Sequence, residues 1–197
     1  LYRDALKNKQ FDENHNYELD FIKHIRAKFQ HIRLWYSGGF DSHTILNYFL
    51  KYNIRLDETA TVWSGLDQEK FDSQCDKEYL LSAKGFLEKN KNSIKKITHL
   101  HNDLERIKNF YKNKKWIFDC HGGYPHVRLQ TANFDWFYDY NKSADCNLLG
   151  KEKPFLIKMK NRWYATVLDN NLLEWNGVPN KVYFWLEPDN IKSFVKD

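Results

Sequence analysis

Ser37-Gly38-Gly39-Phe40-Asp41-Ser42 carries the densest chemistry in the chain. It lies between a β-prone run, IRLWY at 32–36, and a helical pattern, DSHTILNYFLKY at 41–52. Two adjacent glycines after a strand mean that the backbone turns sharply or lets another group approach closely. One alternative is a tight strand-to-helix corner. The other is a cradle for phosphate, because glycines let backbone N–H groups converge on an anion and a helix N-terminus adds partial positive charge. In such a cradle the hydroxyls of Ser37 and Ser42 donate to phosphate oxygens, and Asp41 holds a magnesium ion against them. Neither of two common phosphate loops is present: GxxxxGK[ST] does not occur, and adjacent glycines do not fit GxGxxG.

Other chemical groups are scattered along the chain. In CHGGYPHVR, 120–128, His121 and Arg128 are candidates for contact with phosphate or substrate, with His126 between them. Asp119, just before, is a candidate second magnesium ligand. His121 and His126 are five apart across a Gly-Gly and a Pro, so the spacing is not that of a helical metal pair. His99 and His101 share one face of a strand, but no third ligand is identifiable and zinc is not expected. Lys151 and Lys153, in GKEKP at 150–154, can neutralise phosphate charge; surface lysines beside a turn are the alternative.

These groups need elements to position them. Phe21, Ile22, Ile25 and Phe29 fall at helical spacing, so a helix is expected from Tyr17 to Phe29. IRLWY reads as a short buried strand. Ile45 and Phe49, with Leu46 and Leu50, mark one face of the helix after the glycines. TATVW at 59–63 is the next strand and ends at the turn signal Ser64-Gly65. A long helix follows from about Glu69 to Glu88, with Phe71, Cys75, Tyr79 and Ala83 at four-residue steps. ITHL at 97–100 is a third strand, DLERIKNFY at 103–111 a short helix, and WIFDC at 116–120 a fourth strand.

A helix followed by β-α-β-α-β-α-β predicts an α/β fold: a parallel sheet with helices on both faces. Ligands in such sheets sit beyond the carboxyl ends of the strands. The glycine loop, Ser64-Gly65 and residues 120–123 all fall at such ends. The last third is β-rich and aromatic, and FLIKMKNRWYATVL predicts a hairpin turning near Lys160-Asn161. The expected organisation is a nucleotide-binding α/β domain over 1–150. A small β-rich extension over 151–197, including KVYFWL, is expected to pack on it.

The 197 residues are enough for one domain with a real core, and 17% are aromatic, which argues against disorder. A net charge of +5 suits an anionic ligand such as a nucleotide. The three cysteines are far apart and form no CxxC pair, so a disulfide framework is not expected and a reducing, cytoplasmic setting is. No apolar run approaches a membrane span and no signal peptide is visible. The chain opens on Leu1 rather than Met, so residues are expected to be missing from its start.

Ser37, Gly38, Gly39, Asp41 and Ser42 match all five fixed positions of SGGxDS, and the stretch resembles the PP-loop of the ATP-pyrophosphatase superfamily. Relatives there include asparagine synthetases, GMP synthetases, tRNA thiolases and phosphoadenosine-phosphosulfate reductases. The resemblance implies a Rossmann-like fold of the adenine nucleotide alpha hydrolase type, with ATP and Mg2+ as cofactors. It implies cleavage between the α- and β-phosphates, adenylylation of a substrate oxygen, and pyrophosphate held in the loop. It places Ser37, Gly38, Gly39, Asp41 and Ser42 on the phosphates, with Asp41 and Ser42 counted as catalytic beside Lys151 and Lys153. The end of the second strand, Trp63 and Ser64, would frame the adenine.

The spelling YSGGFDS with a hydrophobic helix after it looks closest to asparagine synthetase-like synthetase domains. The chain is also similar to compact phage-encoded proteins that share a GKEKP-like segment (150–154), a WYA strand (162–165) and an aromatic-Pro-Asp ending (183–189). A phage-encoded protein would work in the host cytoplasm. The acidic GxDE-type segment of asparagine synthetases is not matched; only Asp145 precedes Gly150. Partners implied are a small-molecule or RNA-linked acceptor and a separate ammonia or sulfur donor, with no membrane. A phosphosulfate-reductase-like or sulfur-transfer enzyme, and a nucleotide-binding interaction protein without catalysis, are the alternatives.

Overall fold

Helix α1 (Tyr17–Lys28) is capped by Asn16, whose side chain accepts from Leu19 N at 2.9 Å. Glu18 and Asp20 occupy its first turn and Arg26 and Lys28 its last, which suits the helix dipole at both ends. Strand β1 (Ile32–Trp35) follows, then helix α2 (Phe40–Lys51). Asn53 stops α2 in the left-handed region at φ +50. Asn53 N bonds Leu50 O at 3.2 Å and Ile54 N bonds Phe49 O at 2.9 Å, a Schellman closure that turns the chain toward β2 (Glu58–Trp63).

The chain then contributes a π-helical turn (Tyr79–Ala83) running into α3 (Lys84–Lys89), and strands β3 (Ile97–His101) and β4 (Cys146–Leu149). Strands β5 (Phe155–Met159), β6 (Arg162–Thr166) and β7 (Lys181–Tyr183) come last, with a 3-10 turn at Phe184–Leu186. This computed structural model describes residues 15–63, 77–101, 105, 109, 112, 140–150, 155–160, 162–166 and 180–186.

Among the described residues, five strands form one sheet in the order β3-β2-β1-β4-β7, and every pair is parallel. The chain steps outward from β1 through β2 to β3, then returns past β1 to place β4 on its other side. Leu34 thus lies between Thr59 of β2 and Leu148 of β4. The α/β reading with a parallel sheet and helices therefore holds, and the strands expected at 32–36, 59–63 and 97–100 are β1, β2 and β3.

The strand expected at 116–120 lies outside the described residues. So does most of the helix expected at 103–111, of which Glu105 and Asn109 are helical. The sequence reading did not find β4. CNLL is four residues long, buried throughout, and interrupted by Asn147, so it shows no alternation to detect.

The C-terminal expectation needs one correction. Residues 155–166 do form an antiparallel hairpin, with Met159 opposite Arg162 and Lys160 at φ +48 in the connection. KVYFWL, however, is not part of an appended unit. β7 pairs with β4 as the fifth strand of the main sheet, and Phe184 and Trp185 are buried in its core. Without β7, one edge of β4 would be left with unpaired backbone groups.

Alternation along the central strands divides the core. Ile32, Leu34, Tyr36, Cys146 and Leu148 pack with Ile22 and Ile25 of α1, Ile45, Leu46 and Phe49 of α2, and Leu87 of α3. Trp35, Ala60, Leu100 and Leu149 form a separate cluster on the other face, with Tyr140 edge-on to Trp35. Beside that second cluster lies a buried ionic group. Arg33 Nε and Nη2 each lie 2.9 Å from Glu58 Oε2, and both side chains are almost wholly buried. Arg33 also donates to Tyr140 O at 2.7 Å and Ser143 Oγ at 2.8 Å, and its guanidinium lies 3.7 Å from the Tyr140 ring centre. Glu58 Oε1 accepts from Tyr140 OH at 2.6 Å, Lys96 Nζ at 3.0 Å and Thr98 Oγ1.

Candidate functional site

The first strand leaves the sheet after Tyr36, whose N donates to Ala60 O at 2.9 Å. From there the loop is closed on itself by its own serines. Ser37 N donates to Ser42 Oγ at 3.3 Å, the two hydroxyls lie 3.2 Å apart, and Ser37 Oγ accepts from Gly39 N at 3.1 Å. Ser42 Oγ donates to Gly39 O at 3.2 Å, and His43 N bonds the same carbonyl at 3.0 Å to start α2. Gly39 is thus the N-cap and brings no side chain of its own. Tyr36 OH pairs with His43 Nδ1 at 2.8 Å. Burial pushes that phenol up to about 12, so it stays neutral and ties the first turn of α2 to the strand exit.

Among the described residues, two other segments lie directly on this loop. Gly38 has φ +89, and a Cβ there would stand 2.8 Å from Ala83 Cβ, 2.9 Å from Glu78 O and 3.0 Å from Ala83 N. Ser82 Oγ donates to Gly38 O at 3.1 Å. The stretch 78–83 is therefore the roof of the loop. Gly39 differs: its φ is −70, and the nearest described atoms to a Cβ there would be Glu78 Oε2 and Ser37 Oγ, each at 3.2 Å.

From the other side, Gly150 comes off β4, and a Cβ there would lie 2.9 Å from Ser42 N and Cα. The loop thus sits between the exits of β1 and β4, where the strand order reverses; this is where open α/β sheets hold ligands. Substituting Gly150 by Ala is expected to cost about 1–3 kcal/mol, because the atoms it strikes are backbone and cannot swing away. A lowered melting temperature, with near-native far-UV circular dichroism, is the measurement.

The structure brings Ser37, Gly38, Gly39, Asp41 and Ser42 together on one loop, with Asp41 in the first turn of α2. Trp63 is the last residue of β2, opposite His101 of β3; its side chain is outside the described part. Ser64, Asp119, His121, Arg128, Lys151 and Lys153 lie outside the described residues. His99 Nδ1 pairs with Tyr79 OH at 3.0 Å. Asp145 is not near the loop. It accepts from His31 N at 2.9 Å at the entry of β4, so the full strand separates it from Gly150, about 16 Å at the usual rise per residue. Cys146 is fully buried within β4.

Sequence reasoning missed Glu78, Ser82 and the pairing of Tyr36 with His43. Tyr79 and Ala83 had marked a buried helical stripe, and Glu78 and Ser82 flank it at the same four-residue step. That pattern gives the face of the helix but not the loop it meets. A shallow groove lined by Arg26, Phe29, Gln30 and Arg55 lies near the entry to β1, away from the glycine loop. Its arginines are occupied by Asp57 and by backbone carbonyls, so it reads as structural. No protein-family model matches the chain, and no curated protein does.

Proposed function

We propose that the chain is an ATP-dependent enzyme of the adenine nucleotide alpha hydrolase type. It forms AMP and pyrophosphate by adenylylating a substrate oxygen, in the manner of an asparagine synthetase-like ligase or amidotransferase. One observation carries the reading. Ser-Gly-Gly-Phe-Asp-Ser leaves the carboxyl end of β1 at the reversal of strand order and leads directly into a helix of 12 residues.

The two glycines bear on this unequally. Gly38 is explained by packing and by its positive φ. Gly39 is not explained by its φ, since any residue can adopt its backbone angles, and the nearest described groups to it are a carboxylate tip and a hydroxyl. A glycine bordered by polar atoms at a helix N-terminus suits the approach of an anion. Magnesium fits as well. Asp41 stands in the first turn and the Glu78 carboxylate lies against Gly39, and both supply hard oxygen donors. When bound, the ion supplies neutralisation of phosphate charge.

In this reading the backbone N–H groups around Gly39 and the hydroxyls of Ser37 and Ser42 hold the β- and γ-phosphates. Trp63 and Ser64 frame the adenine. Lys151, Lys153, His121 and Arg128 add positive charge, and Asp119 serves as a further acid. A substrate oxygen attacks the α-phosphorus, the bond from it to the bridging oxygen breaks, and pyrophosphate departs into the loop. Ammonia or a sulfur nucleophile from a separate donor then displaces AMP. Catalysis is positioning plus stabilisation of the leaving group's charge. A reducing cytoplasm, the host's for a phage-encoded protein, is the proposed setting. Among the described residues no helix is long and apolar enough to cross a membrane.

ATP labelled separately at the α- and γ-phosphates tests the assignment. Label is expected in AMP and in pyrophosphate. Release of ADP and orthophosphate without AMP would reject it. Asp41→Ala is expected to lower magnesium-dependent pyrophosphate release by about a hundredfold or more, while far-UV circular dichroism stays unchanged.

A further inference from the structure

The roof of the glycine loop carries a group that an anion site does not need. Residues 79–83 are wound as a π-helical turn, and such bulges inside α-helices frequently mark functional positions. The turn is pinned to the loop by Ser82 Oγ on Gly38 O and by the contact of Ala83 with Gly38. Those contacts leave Glu78 at the leading edge, with its carboxylate carbon 3.7 Å and Oε2 3.2 Å from the Cβ position of Gly39. A carboxylate there is stabilised by the positive end of α2. A free polyphosphate entering the same place meets that negative charge, with Asp41 a second one on the first turn. Like charges brought together at a binding surface repel and act as a filter against the wrong ligand.

We infer that Glu78 is a specificity-determining residue that makes the loop select the magnesium complex of its ligand over the free polyphosphate. The inference rests on the phosphate-binding reading of the loop. Glu78 occupies the seat beside Gly39. It yields when the incoming phosphates carry a cation that can accept its oxygens. The neutral amide of Glu78→Gln keeps the shape and removes the charge.

Pyrophosphate binding by calorimetry, in magnesium and separately in EDTA, tests this on wild type, Glu78→Gln and Glu78→Ala. Wild type is expected to bind at least about tenfold more tightly with magnesium than in EDTA. In Glu78→Gln, affinity in EDTA is expected to rise about tenfold, so the ratio narrows. Glu78→Ala should follow the same direction, which guards against an effect peculiar to the amide. If wild type binds and both variants keep its ratio, the role of Glu78 is overturned while the loop reading stands. If both variants bind more weakly in EDTA than wild type, Glu78 supports rather than filters the anion and the inference fails. If no form binds pyrophosphate or ATP under either condition, the loop reading fails and the inference with it.

Discussion

Gly38→Ala is expected to destabilise the protein by about 3 kcal/mol or more, a large part of the 5–15 kcal/mol that holds a typical domain together. Two costs combine. At φ +89 an L-residue is strained whatever surrounds it. In addition, its Cβ would lie 2.8–3.0 Å from Ala83 Cβ, Glu78 O and Ala83 N, two of which are backbone atoms. Relief requires the loop to move away from residues 78–83, which would also break the bond from Ser82 Oγ to Gly38 O. Urea denaturation should show a clearly lowered midpoint. Gly39→Ala is the contrast. Its backbone angles suit alanine, and the nearest described groups to the added methyl are a hydroxyl and a flexible carboxylate, so stability should change by less than about 1 kcal/mol. Binding of magnesium pyrophosphate should nevertheless fall in Gly39→Ala, because the methyl fills the approach to the loop. Equal stability losses in the two variants would contradict this division of roles.

The second large effect belongs to the Arg33–Glu58 pair. Arg33→Leu is expected to cost about 3–5 kcal/mol, since it leaves the Glu58 carboxylate buried without its main cation. Replacing both residues by well-packed apolar ones should cost much less. Acid should reveal the same group. Burial alone would raise the Glu58 carboxyl. Hydrogen bonds from Thr98, Tyr140 and Lys96 and the charge of Arg33 outweigh it and hold the group at about 2, against an ordinary 4.5. A depressed folded value means that its stabilisation is complete above pH 4.5 and is lost as the pH falls toward 2. Asp57 adds to this slope. Burial opposes its ionisation, but the Ile32 N–H and Arg26 hold its carboxyl below the usual range. Denaturation midpoints measured from pH 7 down to 2 should fall in that window. Glu58→Gln, itself less stable at neutral pH, should show a shallower fall there; an unchanged slope would assign the acid sensitivity elsewhere.

These two sites mark opposite ends of the described strands. Glu58 begins β2 and its ionic group ties the second sheet face to residues 140–143, near the strand entries. Gly38 and Gly150 lie at the strand exits, where the backbone is packed too closely to admit a Cβ. The glycine loop is thus held by close backbone contact from two segments.

Local sequence determined α1, β1, α2, β2 and β3, because each carries its own signal. Apolar residues at helical spacing, a β-branched or aromatic run and a glycine stop are all short-range patterns. It also marked the loop, since two adjacent glycines between a strand and a helix are a short-range signal. Tertiary structure alone decided the rest. β4 has no pattern of its own and is a strand because β1 and β7 supply its hydrogen bonds. KVYFWL has the same composition in an appendage or in a main sheet, and pairing with β4 chose the sheet. Arg33 reads as an ordinary charge inside IRLWY; Glu58, Tyr140 and Ser143, up to 110 residues away, make its burial tolerable. Glu78 and Gly150 reach the loop only because a π-helical turn and a neighbouring strand bring them there. Spacing along a chain encodes which groups share a face; which faces meet depends on the packing of the whole sheet.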